Sequence, residues 1–186
     1  MFQERHPLIG RKLASANPAP VSIHSIDNSA RFSLRIAPAD LAAASGVWGA
    51  PLPPTIGEFT ASAGRIAACI GPDEWYLIAP LGDQDAIEAS FADLYKTTVH
   101  SLVDVGHREV GIAVEGPEAA NALQSCIAAD INSMPVGSAR RTIIDRVQII
   151  LIREADDRFR IEVWHSFADH VWHLLAGICR EFELGL

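Results

Sequence analysis

Three histidines near the C-terminal end, His165, His170 and His173, come nearest to a metal-binding pattern in this chain. His170 and His173 sit at i, i+3 on an expected helix, and Asp169 beside them is a further donor of the kind zinc uses. The side they occupy is the polar one. It lies opposite the stripe Phe167, Val171, Leu174, Leu175, Ile178 and Phe182, so solvated histidines are the preferred reading and no metal is assigned. Asp104, in Val103-Asp104-Val105-Gly106-His107-Arg108, is the more pointed case. A carboxylate between two valines on a strand is costly if buried unpaired. Either it pairs with Arg108 or caps the turn, or with His107 it contacts a ligand at a junction between lobes. Asp145, in Ile143-Ile144-Asp145-Arg146, is a third acid to place; a hairpin turn is its preferred reading. The pairs Asp73-Glu74 and Asp156-Asp157 also read as hairpin turns that bond their own backbone.

Other chemistry lacks its motifs. There is no GxSxG elbow, no GxGxxG and no Walker loop. Nothing therefore marks a catalytic nucleophile or a dinucleotide cradle. Cys69, Cys126 and Cys179 lie far apart among apolar neighbours and read as buried, reduced thiols.

The elements that would position these residues occur twice. Asp73-Glu74-Trp75-Tyr76-Leu77-Ile78-Ala79 matches Asp157-Arg158-Phe159-Arg160-Ile161-Glu162-Val163 at an offset of 84, and the match continues to Phe91 with Leu175 and Tyr95 with Cys179. Upstream, Arg35-Ile36-Ala37-Pro38 matches Val114-Glu115-Gly116-Pro117 at an offset of 79. Each half reads strand, helix, strands, strand, helix, which predicts two lobes sharing one core.

Residues 1–30, with Pro7, Pro18 and Pro20, read as an N-terminal arm outside that core. Residues 31–105 form the first lobe and 106–186 the second, in one compact folding unit. Strands are expected at 31–36, 65–70, 74–79, 97–105, 110–114, 141–144, 147–153 and 159–164. Helices are expected from Pro38 to an end at Gly46, over 83–95, over 118–126, and from an N-cap at Ser166 onward. Residues 47–64 read as a long functional loop, a lid or a contact surface. The fold class is α+β: duplicated ferredoxin-like β-α-β lobes, mainly antiparallel sheets with helices on one face.

Of 186 residues, 49% are hydrophobic and the net charge is −8. That charge excludes a nucleic-acid platform, which needs a basic surface. No apolar run is long enough to span a membrane. Met1-Phe2-Gln3-Glu4-Arg5-His6-Pro7 lacks the basic start and apolar run of a signal peptide, so a cytoplasmic setting is expected.

Asp104-Val105-Gly106-His107, the strand 110–116 and Pro117-Glu118-Ala119-Ala120-Asn121-Ala122-Leu123-Gln124 together resemble the folate-binding aminomethyltransferase family. Ala129-Asp130-Ile131-Asn132, Pro135-Val136-Gly137 and Arg141-Thr142 continue the likeness. Within that superfamily the chain is most similar to the gamma subunits of heterotetrameric sarcosine oxidases. Pro7-Leu8, Gly71-Pro72-Asp73-Glu74-Trp75-Tyr76-Leu77, Val103 to Arg108, and Phe159-Arg160-Ile161-Glu162-Val163-Trp164-His165-Ser166-Phe167 carry that resemblance. It implies a bacterial complex that oxidatively demethylates sarcosine to glycine, passes electrons to oxygen and hands the one-carbon unit to tetrahydrofolate. FAD, FMN, NAD and tetrahydrofolate would sit on the large alpha and beta subunits. This chain, with alpha, beta and delta as partners, would carry no cofactor and no catalytic site. Two departures from the superfamily stand out. No glycine turn precedes Asp145, and the Lys-Gly-Cys-Tyr-x-Gly-Gln-Glu signature of the iron–sulfur and tRNA-repair branch is absent.

The expectation is a non-catalytic interaction subunit. Its contact candidates are Trp48, Trp164 and Trp172, because exposed indoles favour protein contacts. Trp172 lies at the edge of its helical stripe, as core rim or as contact. The alternative is a stand-alone folate-binding protein with Asp104, His107 and Asp145 around a pocket between the lobes, or a sensor of a one-carbon metabolite.

Overall fold

The computed structural model describes residues 6–14 and 19–185. The expectations for Met1 to Arg5 and for Pro18 lie outside the described residues. Chain order opens with two short strands, β1 (Lys12–Ala14) and β2 (Ser22–Ile26), paired antiparallel. The chain divides into two compact units: Asn28–Gly106 with Ser138–Arg140, and Met1–Asp27 with His107–Gly137 and Arg141–Leu186.

The first unit holds β3 (Ser29–Ile36), a 3₁₀ turn at Pro38–Asp40, α1 (Leu41–Trp48), β4 (Phe59–Ser62), β5 (Arg65–Gly71) and β6 (Glu74–Pro80). A second 3₁₀ turn at Leu81–Asp83, α2 (Gln84–Leu94) and β7 (His100–Asp104) complete it. The sheet order is β4-β5-β6-β3-β7, antiparallel throughout. Phe32 and Leu34 on β3, Trp75 and Leu77 on β6, and Ile87 and Phe91 on α2 meet in its core. Alternation along the strands and i, i+4 spacing on the helix put them on facing sides.

The second unit holds β1, β2, β8 (Glu109–Glu115), α3 (Ala119–Gln124), β9 (Ser138–Ile144, of which Ser138–Arg140 falls in the first unit), β10 (Val147–Ala155), β11 (Arg158–Trp164), a 3₁₀ turn at His165–Phe167 and α4 (Ala168–Leu184). Its sheet order is β1-β2-β8-β11-β10-β9. Val110, Ile112 and Val114 join Phe159, Ile161 and Val163, and Leu123, Val171 and Leu175 from α3 and α4 close the same core. The fold is α+β, with two antiparallel sheets and helices packed on one face of each.

Through the hairpin and the start of the following helix the repeat holds at the level of individual residues, while its upstream offset needs correcting. The offset of 84 carries the bulge between Cys69 and Gly71 onto that between Arg153 and Ala155. It also carries the 3₁₀ turn at Leu81–Asp83 onto His165–Phe167, and the start of α2 onto that of α4. The strands β3 and β8, however, are related by 80 and not 79. Leu34 pairs with Trp75 where Val114 pairs with Phe159. The Ile36 N–H donates to the Asp73 carbonyl where the Gly116 N–H donates to the Asp157 carbonyl. The sequence match was anchored on the prolines, and the second unit has one residue fewer between strand and proline. A one-residue slip exchanges the two faces of a strand, so the offset of 79 matched exposed Arg35 to buried Val114.

Other expectations are corrected by long-range contacts. Leu8, Val21 and Ile23 are fully buried, and β2 pairs with β8 along its length. In the second sheet β2 takes the place that β7 takes beside β3 in the first, so part of the expected arm completes the core. Each unit has its own cluster of buried apolar side chains. The helix expected to stop at Gly46 runs on to Trp48 and is capped by Gly49 at φ 77°. The following segment is pinned rather than loose. The Trp75 indole N–H donates to the Pro53 carbonyl at 2.8 Å, Ser45 Oγ accepts the Leu52 N–H, and residues 59–62 form β4. Tyr95 and Cys179 prove unlike, exposed and buried respectively, because α2 ends at Leu94 while α4 continues. Ser166 lies inside the 3₁₀ turn and makes no N-cap; Phe167 occupies the cap position without a side-chain bond.

Candidate functional site

The three acid and histidine candidates lie at chain turns. Asp104, at the end of β7, is exposed; its Oδ1 accepts the Gly106 N–H at 2.7 Å and its Oδ2 accepts from Gln84 at 3.1 Å. It caps the turn, and Arg108 pairs instead with Glu109 at 2.7 Å. Asp104 also lines an open groove of about 730 Å³ between α2 and β7, with Glu88, Phe91, Tyr95 and His100. The His100 ring meets Phe91 and Tyr95 edge-on, 5.5 Å between centroids in each case. His107 is exposed and, like Asp145, belongs to the second unit, whereas Asp104 belongs to the first. Asp145 sits in the two-residue turn between β9 and β10 at φ 51°, where it accepts from His170 at 3.0 Å. Aspartate tolerates this left-handed backbone better than most side chains do.

Thiol chemistry is disfavoured at each cysteine. Burial, with the Asp145 charge second, pushes Cys126 up to about 12. Burial, with Glu183 second, pushes Cys179 up to about 11. Cys69 is raised too, chiefly by burial. A thiol that resists ionisation is a poor nucleophile and a poor metal ligand. Among the described residues no three His, Cys, Asp or Glu side chains gather closely enough to hold a metal ion.

The tryptophans separate clearly. Trp48 is wholly buried, with the Arg65 guanidinium 5.2 Å over its ring. That same Arg65 donates to the Trp48 carbonyl and pairs with Asp83 at 2.7 Å. Trp48 is therefore core, a correction to its expected place in an exposed loop. Trp172 is 7% exposed and belongs to the core rim. Trp164 remains on the surface at 40% exposure, beside Phe167 at 43%.

Trp164 and Phe167 have ring centroids 6.4 Å apart, and the Arg108 guanidinium lies 5.5 Å over the Trp164 ring. The strand end and the 3₁₀ turn fix both rings, and the Arg108 carbonyl accepts the His165 N–H at 2.6 Å. A rigid patch of Trp, Phe and Arg is the composition that carries energy at protein contacts. Sequence reasoning missed Phe167, which was placed in the apolar stripe, and Arg108, which was weighed as a partner for Asp104. The repeat held the signal: the offset of 84 matches Trp164 to Pro80 and Phe167 to Asp83, both of which reach the surface in the first unit.

Comparison with known proteins follows the same outline. Residues 35–181 match the sequence family described as "Sarcosine oxidase, gamma subunit family". The curated sarcosine oxidase subunit gamma of Corynebacterium sp. (strain U-96) is 27% identical over 176 residues, covering 90% of this chain and 83% of that one. Among solved structures, a chain of the heterotetrameric sarcosine oxidase from Corynebacterium sp. U-96, in complex with pyrrole 2-carboxylate, superposes with a TM-score of 0.81 at 25% identity. That match covers 88% of this chain and 85% of the other. The glycine cleavage system aminomethyltransferase T from Bartonella henselae shares the fold, with a TM-score of 0.64 at 17% identity over 85% of this chain and 46% of its own.

Proposed function

Because the chain belongs to the sarcosine oxidase gamma subunit family, we propose that it is the gamma subunit of a heterotetrameric sarcosine oxidase and works as a docking body without an active site of its own. What carries this reading is the likeness in both sequence and fold, along most of its length, to a chain of such a complex. The proposed parent activity is oxidative demethylation of sarcosine to glycine, with the one-carbon unit passed to tetrahydrofolate. The flavins, the nicotinamide dinucleotide and the folate sit on the alpha and beta subunits. The setting is the cytoplasm; no helix among the described residues is long and apolar enough to cross a membrane.

Local chemistry supports a docking role. The oxygens of Asp104 are spent on a turn and on Gln84, and the thiols resist ionisation. The best-built exposed feature is the aromatic patch of Trp164, Phe167 and Arg108. Trp164→Ala removes its centre while leaving the core intact. It is expected to weaken association with the large subunits by about 2 kcal/mol, roughly thirtyfold. Titrating tagged chain against co-expressed alpha, beta and delta subunits reads this directly. Unchanged affinity in the variant would remove the patch from the interface. Tight binding of tetrahydrofolate by the isolated chain, lost in Asp104→Ala, would instead favour the stand-alone folate-binding reading.

A further inference from the structure

Gly177 stands within α4, exposed, with nothing within 4 Å of the place a Cβ would take. Glycine is the poorest helix former after proline, and no tight turn or close backbone approach calls for it here. Its effect is to clear the floor of a groove of about 810 Å³ between α4 and the segment leading into β1. Lys12, Trp172, His173 and Arg180 line that groove, with Glu183 as its one acid. Arg11, at its edge, is held by Asp169 at 2.8 Å. Lys12 and Arg180 have no ion-pair partner among the described residues. A basic groove in a chain of net charge −8 is a local reversal of sign. Among the described residues, β1 is also the outermost strand of its sheet, and an outer strand offers unpaired backbone to another chain.

We propose that this groove receives an acidic, extended segment of a partner subunit. Its carboxylates rest on Lys12 and Arg180, one apolar side chain lies against the Trp172 indole, and its backbone runs beside β1. The proposal rests on the reading of the chain as a subunit and names a second contact, apart from the Trp164 patch.

The chain has two lysines, Lys12 and Lys96, and Lys96 is held by Asp93 at 2.6 Å. Zero-length carbodiimide cross-linking of the assembled complex, read by mass spectrometry, therefore reports on Lys12 with Lys96 as internal reference. The expected product joins Lys12 to an aspartate or glutamate of a partner subunit. Gly177→Leu fills open space on a helix and should fold as well as wild type by circular dichroism. It and the double variant Lys12→Glu/Arg180→Glu should each weaken assembly about tenfold, and the double variant should also flatten the salt dependence of binding. Lys12 cross-linked only to its own chain, or not at all, overturns the proposal. So does wild-type affinity in a folded Gly177→Leu protein. A wild-type chain that never assembles overturns both this proposal and the subunit reading; a chain that assembles regardless of these changes overturns this one alone.

Discussion

Arg160→Leu is expected to cost about 3–5 kcal/mol of folding stability, the usual result of removing one partner from a buried ion pair. Arg160 and Glu162 lie two residues apart on β11, so they share a face, opposite the one that Phe159, Ile161 and Val163 turn to the core. That second face is buried as well: Glu162 is 1% exposed and Arg160 9%, with Ile152 fully buried on the neighbouring strand. Arg160 Nε donates to Glu162 Oε1 at 2.5 Å. A second guanidinium nitrogen of Arg160 is buried without a hydrogen-bond partner, so the pair is already short of full satisfaction. Removing the cation leaves the carboxylate in a low-dielectric site without the guanidinium that binds its Oε1. The double variant Arg160→Leu/Glu162→Met removes both charges and should recover most of the loss. Urea unfolding of wild type and the two variants measures all three. A single variant within about 1 kcal/mol of wild type would mean that the pair is solvated, against its burial.

Gly116→Ala is expected to destabilise the chain by about 3 kcal/mol, combining backbone strain with a lost hydrogen bond. Gly116 adopts φ +125°, and a Cβ there would overlap the carbonyl oxygen of Pro20. That carbonyl accepts the Glu118 N–H at 2.9 Å, while the Gly116 N–H donates to Asp157 and its carbonyl accepts from Ala119. The residue is thus held on three sides at the point where the second unit makes its connection one residue shorter than the first. In the first unit Ala37 stands at the entry to the helix, at φ −64°, which any residue can adopt. A fall in Tm of roughly 10 °C should accompany the loss. Gly177→Ala serves as a control of opposite sign, stabilising by up to about 1 kcal/mol at an open helix position. Equal melting of Gly116→Ala and wild type would show that the backbone at 116 relaxes, and would remove the steric argument.

Much of this fold was legible because the chain repeats itself. The hairpin and helix at an offset of 84 were read from apolar spacing and turn residues, and register, bulge and 3₁₀ turn follow them. The offset between β3 and β8 was read one residue out because prolines are easy to match while strand faces are decided by partners. β2 was missed for a related reason. Val21 and Ile23 alternate as a strand should, but three prolines dominate the surrounding composition, and pairing with β8 some 90 residues away decides the outcome. Trp48 was misplaced because its burial depends on Arg65 and on a helix that runs past Gly46. Of the site candidates, Trp164 was legible as a surface aromatic. Its neighbours Arg108 and Phe167 were not, because the turn that gathers them is set by packing.

The central claim is that this chain serves a larger enzyme by docking and performs no turnover. Oxygen uptake with sarcosine tests it most directly, using the purified chain alone, the co-expressed alpha, beta and delta subunits, and the two preparations mixed. The account predicts no uptake by the chain alone, its stoichiometric incorporation on mixing, and activity only in preparations containing the large subunits. Sarcosine-dependent oxygen uptake by the isolated chain, or a chain that remains separate from those subunits throughout, would contradict it.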